Sequence, residues 1–167
     1  MMFIILPQHL PSTVCSSLIE IYENNKHIAK KWGNTKLIDI NEISNNNDLI
    51  KCKHVIRFVN NTAVNFFGIN TFIEVAQIVK WPVGSNQLPH YDEARELTTF
   101  TSLTYLNDDF EGGQTNFTTE NLVVIPKVGR TILFDGKRFE HEVKKITDGI
   151  RYTLALWYSS NVMEPII

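Results

Sequence analysis

The chain has 167 residues, 43% hydrophobic and 20% charged, with 16 basic against 18 acidic side chains and a formal net charge of −2. Those proportions fit one compact domain, 1–167, able to bury roughly 70% of its unfolded surface. They argue against a nucleic-acid binder, because the fullest basic runs are only those at 26–31 and 144–145.

Two cysteines, Cys15 and Cys52, are too few for a disulfide scaffold and lack metal-type spacing. The apolar stretch 3–6 stops at Pro7, too short for a signal core or a membrane span. The expectation is a soluble cytoplasmic protein with no membrane or nucleic-acid partner. Over residues 1–70 the pattern is mostly helical. Ser12 or Thr13 can cap a helix after Pro11, and Val14, Leu18, Ile21 and Ile28 recur near helical spacing up to Trp32, with Gly33 as a stop. An extended piece follows at 36–40, then a polar loop at 44–48. A second helix is predicted over 48–67 on Leu49, Cys52, Val55, Ile56, Val59, Val64 and Phe67, ended by Gly68.

Beyond Gly68 the text turns β-branched and aromatic. Strands are predicted at 72–81, 97–106, 114–118, 122–125, 131–134, 140–146 and 151–159, separated by Gly112-Gly113, Gly136 and Asp148-Gly149. Many short strands after two helices predict a mainly β sandwich or barrel over 71–160, with N-terminal helices packed outside it as support over 1–70.

The chemistry-bearing residues concentrate in the strand region. His90 and Asp92 are two apart, so in an extended segment both side chains leave one face. His141 shares a face with Phe139 and Val143, while Glu140, Glu142 and Lys144 share the other. Arg151 opens a strand whose same face carries Thr153, Ala155 and Trp157, the profile of a cavity wall with a cation at one end. Each has an ordinary alternative: a polar turn pair, a satisfied core histidine, a solvated strand end. Together, two histidines and a carboxylate can take one face of an octahedral iron(II) and leave the other open. A following arginine can hold the far carboxylate of a chelating cosubstrate. Tyr105 either adds a hydroxyl to that carboxylate or packs as a strand aromatic. No Ser/His/Asp triad, phosphate-binding glycine loop or paired thiol motif competes.

With these residues in this order, the stretch 72–158 resembles the catalytic domain of the iron(II)/2-oxoglutarate dioxygenases, in their prolyl 4-hydroxylase-like branch. The matching text is His90-Tyr91-Asp92, Tyr105-Leu106-Asn107-Asp108, Gly112-Gly113-Gln114-Thr115-Asn116-Phe117, Pro126-Lys127-Val128-Gly129, Leu133-Phe134, His141-Glu142-Val143 and Arg151-Tyr152 with Trp157. The resemblance implies a double-stranded β-helix, a cupin-like jelly roll. It implies His90, Asp92 and His141 as iron ligands, with no catalytic group beyond the metal centre. Arg151, assisted by Tyr105, would hold 2-oxoglutarate, and Trp81, Trp157 and Arg95 would line the substrate pocket. The cofactor implied is Fe(II), with 2-oxoglutarate and O2 as cosubstrates and ascorbate as reductant.

The implied activity is hydroxylation of a carbon in a peptide or protein, a peptidyl proline first, with succinate and CO2 as coproducts. A free amino acid, a lysyl residue or another small molecule is the alternative substrate. A cupin-like metal-binding protein without oxygenase activity is the alternative class. Two positions depart from the family pattern. Trp81 stands where a tyrosine is common ahead of the His-x-Asp segment, and Thr98 stands where prolyl hydroxylases carry a substrate-contacting arginine, with Arg95 the nearest basic residue.

Overall fold

The computed structural model describes residues 3–68, 70–92 and 98–159. Its larger sheet has seven antiparallel strands in the order β1 (Phe3–Leu6), β10 (Thr131–Asp135), β6 (Thr98–Tyr105), β13 (Arg151–Ser159), β4 (Phe72–Trp81), β3 (Thr35–Asp39) and β2 (Lys30–Trp32). The smaller sheet runs β5 (Gln87–His90), β11 (His141–Val143), β8 (Thr115–Phe117) and β9 (Leu122–Val124). A two-stranded ribbon joins β7 (Glu111–Gly112) to β12 (Ile146–Asp148). Two helices, α1 (Ser12–Asn24) and α2 (Asn46–Phe67), complete the fold.

Strand alternation sorts the side chains into layers. Along β13, Tyr152, Leu154, Leu156 and Tyr158 pack with Leu18 and Ile21 of α1 and Ile56 and Val59 of α2. Arg151, Thr153, Ala155 and Trp157 point the other way, into the space between the sheets. Burying a large apolar side chain of this kind contributes about 1.5–3 kcal/mol, so the helices hold the larger sheet by one face and leave its other face for chemistry. A second core of Phe117, Phe134 and Phe139, joined by Phe3, fills one part of the sandwich, with the Phe3 and Phe117 rings edge to face at 4.8 Å.

The first helix is shorter than its apolar spacing predicts. It stops at Asn24, because the buried Asn25 takes over its end. The Asn25 backbone N–H reaches the Ile21 and Tyr22 carbonyls, and its side-chain amide donates to the Ile21 carbonyl at 2.9 Å and to Asp48 Oδ2 at 3.1 Å. A 3-10 turn, Lys26–Ile28, then leads into the β2–β3 hairpin. Gly33, at φ +57°, turns that hairpin instead of ending a helix. Neither Ser12 nor Thr13 caps α1; Pro11 holds the cap position, without a side-chain hydrogen bond.

The second helix starts at Asn46, two residues ahead of the predicted 48–67, because the Asn45 side chain accepts from the Asn47 and Asp48 amides. Gly68 ends it in the left-handed conformation, as expected. The segment expected as one strand over 140–146 is divided between β11 and β12. The chain leaves β8 after Val143 and pairs Ile146 with Gly112, where a Cβ on Gly112 would lie 2.0 Å from the Lys145 carbonyl oxygen. No helix among the described residues is long and apolar enough to cross a membrane.

Candidate metal centre and cosubstrate anchor

His90 closes β5 and His141 opens β11, and the antiparallel register sets the two residues directly opposite each other. Asp92 follows just past the strand end, where its amide donates to the Gly136 carbonyl at 2.9 Å. The candidate ligand atoms of these three residues all lie within 4.8 Å of one another. His90 Nε2 is 3.4 Å from Asp92 Oδ1, and His141 Nε2 is 3.7 Å from Asp92 Oδ2.

Both imidazoles are held the same way. Nδ1 of His90 donates to the Leu88 carbonyl at 2.8 Å, and Nδ1 of His141 donates to the Phe139 carbonyl at 3.1 Å. In its neutral form each ring therefore offers Nε2 as its lone-pair nitrogen, the tautomer a metal ligand requires, and only the protonated ring can donate from it to Asp92. Gln87 donates to that nitrogen of His90 at 2.9 Å.

The electrostatics follow from burial and the central carboxylate. At His141 burial dominates and holds the pKa below its ordinary value, against the pull of Asp92. At His90 burial also lowers the pKa, but hydrogen bonds to Asp92 and to the Leu88 carbonyl outweigh it and raise the net value. Burial works to raise the Asp92 pKa; the hydrogen bond from His90 and the charge of His141 outweigh it, and the carboxyl titrates below its usual range. Two nitrogens and one anionic oxygen on one side of a cavity make a donor set that suits iron(II) with open positions.

Arg151 opens β13 and is completely buried. Its guanidinium lies over two rings, 4.8 Å from the Trp81 centroid and 5.2 Å from that of Tyr105. Nη2 reaches Thr115 Oγ1 at 3.5 Å, while Nε and Nη1 have no hydrogen-bond partner among the described residues. Burial lowers its pKa, opposed by Tyr105, and a guanidinium remains charged through such a shift. A buried cation with unused donors is costly unless an anion meets it. A carboxylate matches the unused guanidinium donors.

One cavity of about 310 Å³ joins the two features, since His90, Asp92, His141 and Arg151 all line it. Val79, Leu103, Phe134 and Trp157 form apolar parts of its wall, and the half-exposed Trp32 reaches it from the β2–β3 hairpin.

Trp81 and Trp157, expected at the substrate, both line the cavity. Trp81, however, covers Arg151 and donates its indole N–H to Thr153 Oγ1 at 3.2 Å, which places it at the anchor. Tyr105 meets Arg151 with its ring, while its hydroxyl donates to Thr115 Oγ1 at 2.6 Å. Thr115 Oγ1 thus meets both the Tyr105 hydroxyl and Arg151 Nη2. Arg95 lies outside the described residues. Four further lining residues escape a reading of the sequence: Trp32, Gln87, Thr101 and Thr115. Thr115 falls inside Gly-Gly-Gln-Thr-Asn-Phe, a stretch legible as turn and strand, and Trp32 is hidden by the apparent length of the first helix.

Two antiparallel sheets with a cluster of side chains that could hold a metal, and a buried arginine lining the same cavity, are the arrangement of a double-stranded β-helix protein. Residues 76–159 match the family model of the 2OG-Fe(II) oxygenase superfamily, and the chain belongs to that superfamily. Among curated relatives, human prolyl 3-hydroxylase 2 is 42% identical over 66 residues, a match covering 36% of this chain and 9% of that protein. Chicken prolyl 3-hydroxylase 1 is 39% identical over 66 residues with the same coverage. The matched stretch is thus about a tenth of the length of these relatives.

Two solved structures share the fold over nearly the whole chain. The viral collagen prolyl hydroxylase of Paramecium Bursaria Chlorella virus-1, in its 2OG complex, superposes with a TM-score of 0.75 at 19% identity, covering 97% of each chain. A Trichoplax adhaerens prolyl hydroxylase, in complex with a hypoxia inducible factor oxygen degradation domain peptide fragment, gives 0.76 at 21% identity, covering 95% of this chain and 84% of that one. The fold is the double-stranded β-helix of these oxygenases.

Proposed function

We propose that the protein is an Fe(II)- and 2-oxoglutarate-dependent dioxygenase that hydroxylates a peptidyl proline. The observation that carries the reading is a single cavity with the three-ligand cluster and the unsatisfied guanidinium of Arg151 in its wall. His90, Asp92 and His141 would hold the iron, which would supply the redox chemistry by which dioxygen gives one oxygen atom to 2-oxoglutarate, leaving succinate and CO2, and the other to a substrate C–H bond.

The other roles belong to the chain itself. Nδ1 hydrogen bonds to Leu88 and Phe139 fix both imidazole planes before any ligand arrives, which reduces the reorganisation needed at binding. Arg151 pairs with the far carboxylate of the cosubstrate, and Trp81 and Tyr105 keep its fork in one plane. Val79, Leu103 and Phe134 make part of the cavity wall apolar, which limits water there. Trp32, Val75 and Trp157 offer apolar and aromatic surface to which an uncharged pyrrolidine ring is suited.

The test is to incubate the purified protein with iron(II), ascorbate and labelled 2-oxoglutarate, with and without proline-containing peptides. Succinate release and a peptide mass gain of one oxygen atom are expected, and fragmentation of the product locates the ring carbon. Absence of succinate under every condition would sink the oxygenase reading. Succinate coupled to a free amino acid or a lysyl peptide instead of a prolyl one would move the substrate while leaving the centre in place.

A further inference from the structure

Thr101 lies on β6 with its side chain in the cavity wall, and the residue is 3% exposed. Among the described residues its buried hydroxyl makes no hydrogen bond of full geometry, although it lies within reach of the Asp92 carboxylate. The nearest unusual feature is Gly136. A Cβ built there would stand 2.8 Å from Asp92 Cβ and 2.9 Å from Thr101 Oγ1, so the Asp92 side chain and the Thr101 hydroxyl flank the same bare glycine. Backbone bonds fix that approach, since the Asp92 amide donates to the Gly136 carbonyl at 2.9 Å and the Gly136 amide donates to the Thr99 carbonyl at 3.0 Å.

A hydroxyl with no acceptor is destabilising in a protein interior, and a native fold that retains one invites an explanation. Here the unused donor sits beside the carboxylate of the ligand cluster. A carboxylate that binds a metal through one oxygen presents the other to a donor, and ligating carboxylates are as a rule held that way.

We propose that Thr101 is a positioning residue for the metal centre, its hydroxyl donating to the Asp92 oxygen that does not bind the ion, in space kept open by the missing side chain of Gly136. The inference rests on the metal-centre reading given above. It makes Thr101 a determinant of metal affinity and gives it no contact with substrate.

Two measurements on wild type, Thr101→Val and Thr101→Ser test it: titration with Co(II) followed by visible absorbance, and thermal melting of the metal-free proteins. Thr101→Val, which exchanges the hydroxyl for a methyl of the same shape, is expected to bind Co(II) about 10–100-fold more weakly. Its metal-free melting temperature should equal or exceed that of wild type, because an unsatisfied donor has gone. Thr101→Ser should bind Co(II) close to wild type. A role in packing alone would leave Co(II) affinity unchanged in the valine variant, or lower its metal-free melting temperature, and either result overturns the proposal, as does failure of serine to restore binding. If wild type itself binds no Co(II), the metal-centre reading fails and this one falls with it; equal binding by wild type and valine variant removes only the role of Thr101.

Discussion

At Arg151 the fold keeps a full positive charge out of water and sets its guanidinium over two aromatic rings, Trp81 and Tyr105. Nε and Nη1 are left for a ligand among the described residues. Arg151→Lys keeps the charge and loses the fork and the stacked plane. The dissociation constant for 2-oxoglutarate, measured by calorimetry on Mn(II)-loaded protein, is expected to rise about 10–100-fold, the loss of one charge-assisted hydrogen bond worth roughly 1.5–3 kcal/mol. An unchanged constant would remove Arg151 from the anchor role. At this scale the legible residues were those whose meaning is local. His90 with Asp92, and His141 between Phe139 and Val143, show themselves through alternation along a single strand. Thr115 and Thr101 do not, because their significance lies in partners brought alongside by sheet register: Tyr105 and Arg151 for one, Asp92 for the other.

Among the elements, α1 is tied to the larger sheet by more than apolar packing. Glu23 near its end accepts from Lys80 Nζ at 2.7 Å and from the Tyr152 hydroxyl at 2.6 Å. Lys80 and Tyr152 face each other across β4 and β13, and the neighbouring pair on the cavity side is Trp81 with Arg151. The Lys80 ammonium and the Tyr152 hydroxyl hold the Glu23 carboxyl down to about 2, from an ordinary value of 4.5. A carboxyl lowered by folding stabilises the native state above its unfolded pKa, and that contribution fades as the pH falls from about 4.5 toward 2. The side chain is one-third exposed, so solvent screening leaves a contribution on the order of 1 kcal/mol. Glu23→Gln should therefore melt roughly 2–4 °C lower at neutral pH, and the two melting curves should converge near pH 2. A constant difference across that range would show that the ionised carboxylate is not what stabilises this contact.

The overrun of the first helix belongs to the same scale. Val14, Leu18, Ile21 and Ile28 do keep a helical rhythm, but the residue that ends the helix is Asn25, whose side-chain partner Asp48 is remote in sequence. The layering of β13 and β4 was legible because both are long and strictly alternating. The break between β11 and β12 was not, because it depends on where a third strand, β7, stands.

For the molecule as a whole, a metal that binds only the native state stabilises it by mass action. At a concentration a hundredfold above its dissociation constant the gain is about 2.7 kcal/mol, or roughly 5–10 °C in melting temperature for a chain of this size. Co(II) should produce that shift in scanning calorimetry, and EDTA should reverse it. His141→Ala should abolish the shift, and an equal shift in that variant would exclude His141 as a ligand.

The family match begins at residue 76, inside β4, and His90, Asp92, His141 and Arg151 all lie after it. Strands from the earlier part nevertheless form both margins of the larger sheet, with β1 paired to β10 and β3 to β4. A shortened chain begun at residue 71 would keep the whole polar site and lose both protecting margins, baring the hydrogen-bonding edges of β10 and β4 and the apolar back of β13. Raw edges of that kind seek other chains. Size-exclusion chromatography should find such a piece in far larger assemblies than the intact protein, and a well-behaved monomer would contradict this. The segment that bears the site is therefore not expected to be the segment that can be excised, and engineering of the catalytic half has to carry the N-terminal strands with it.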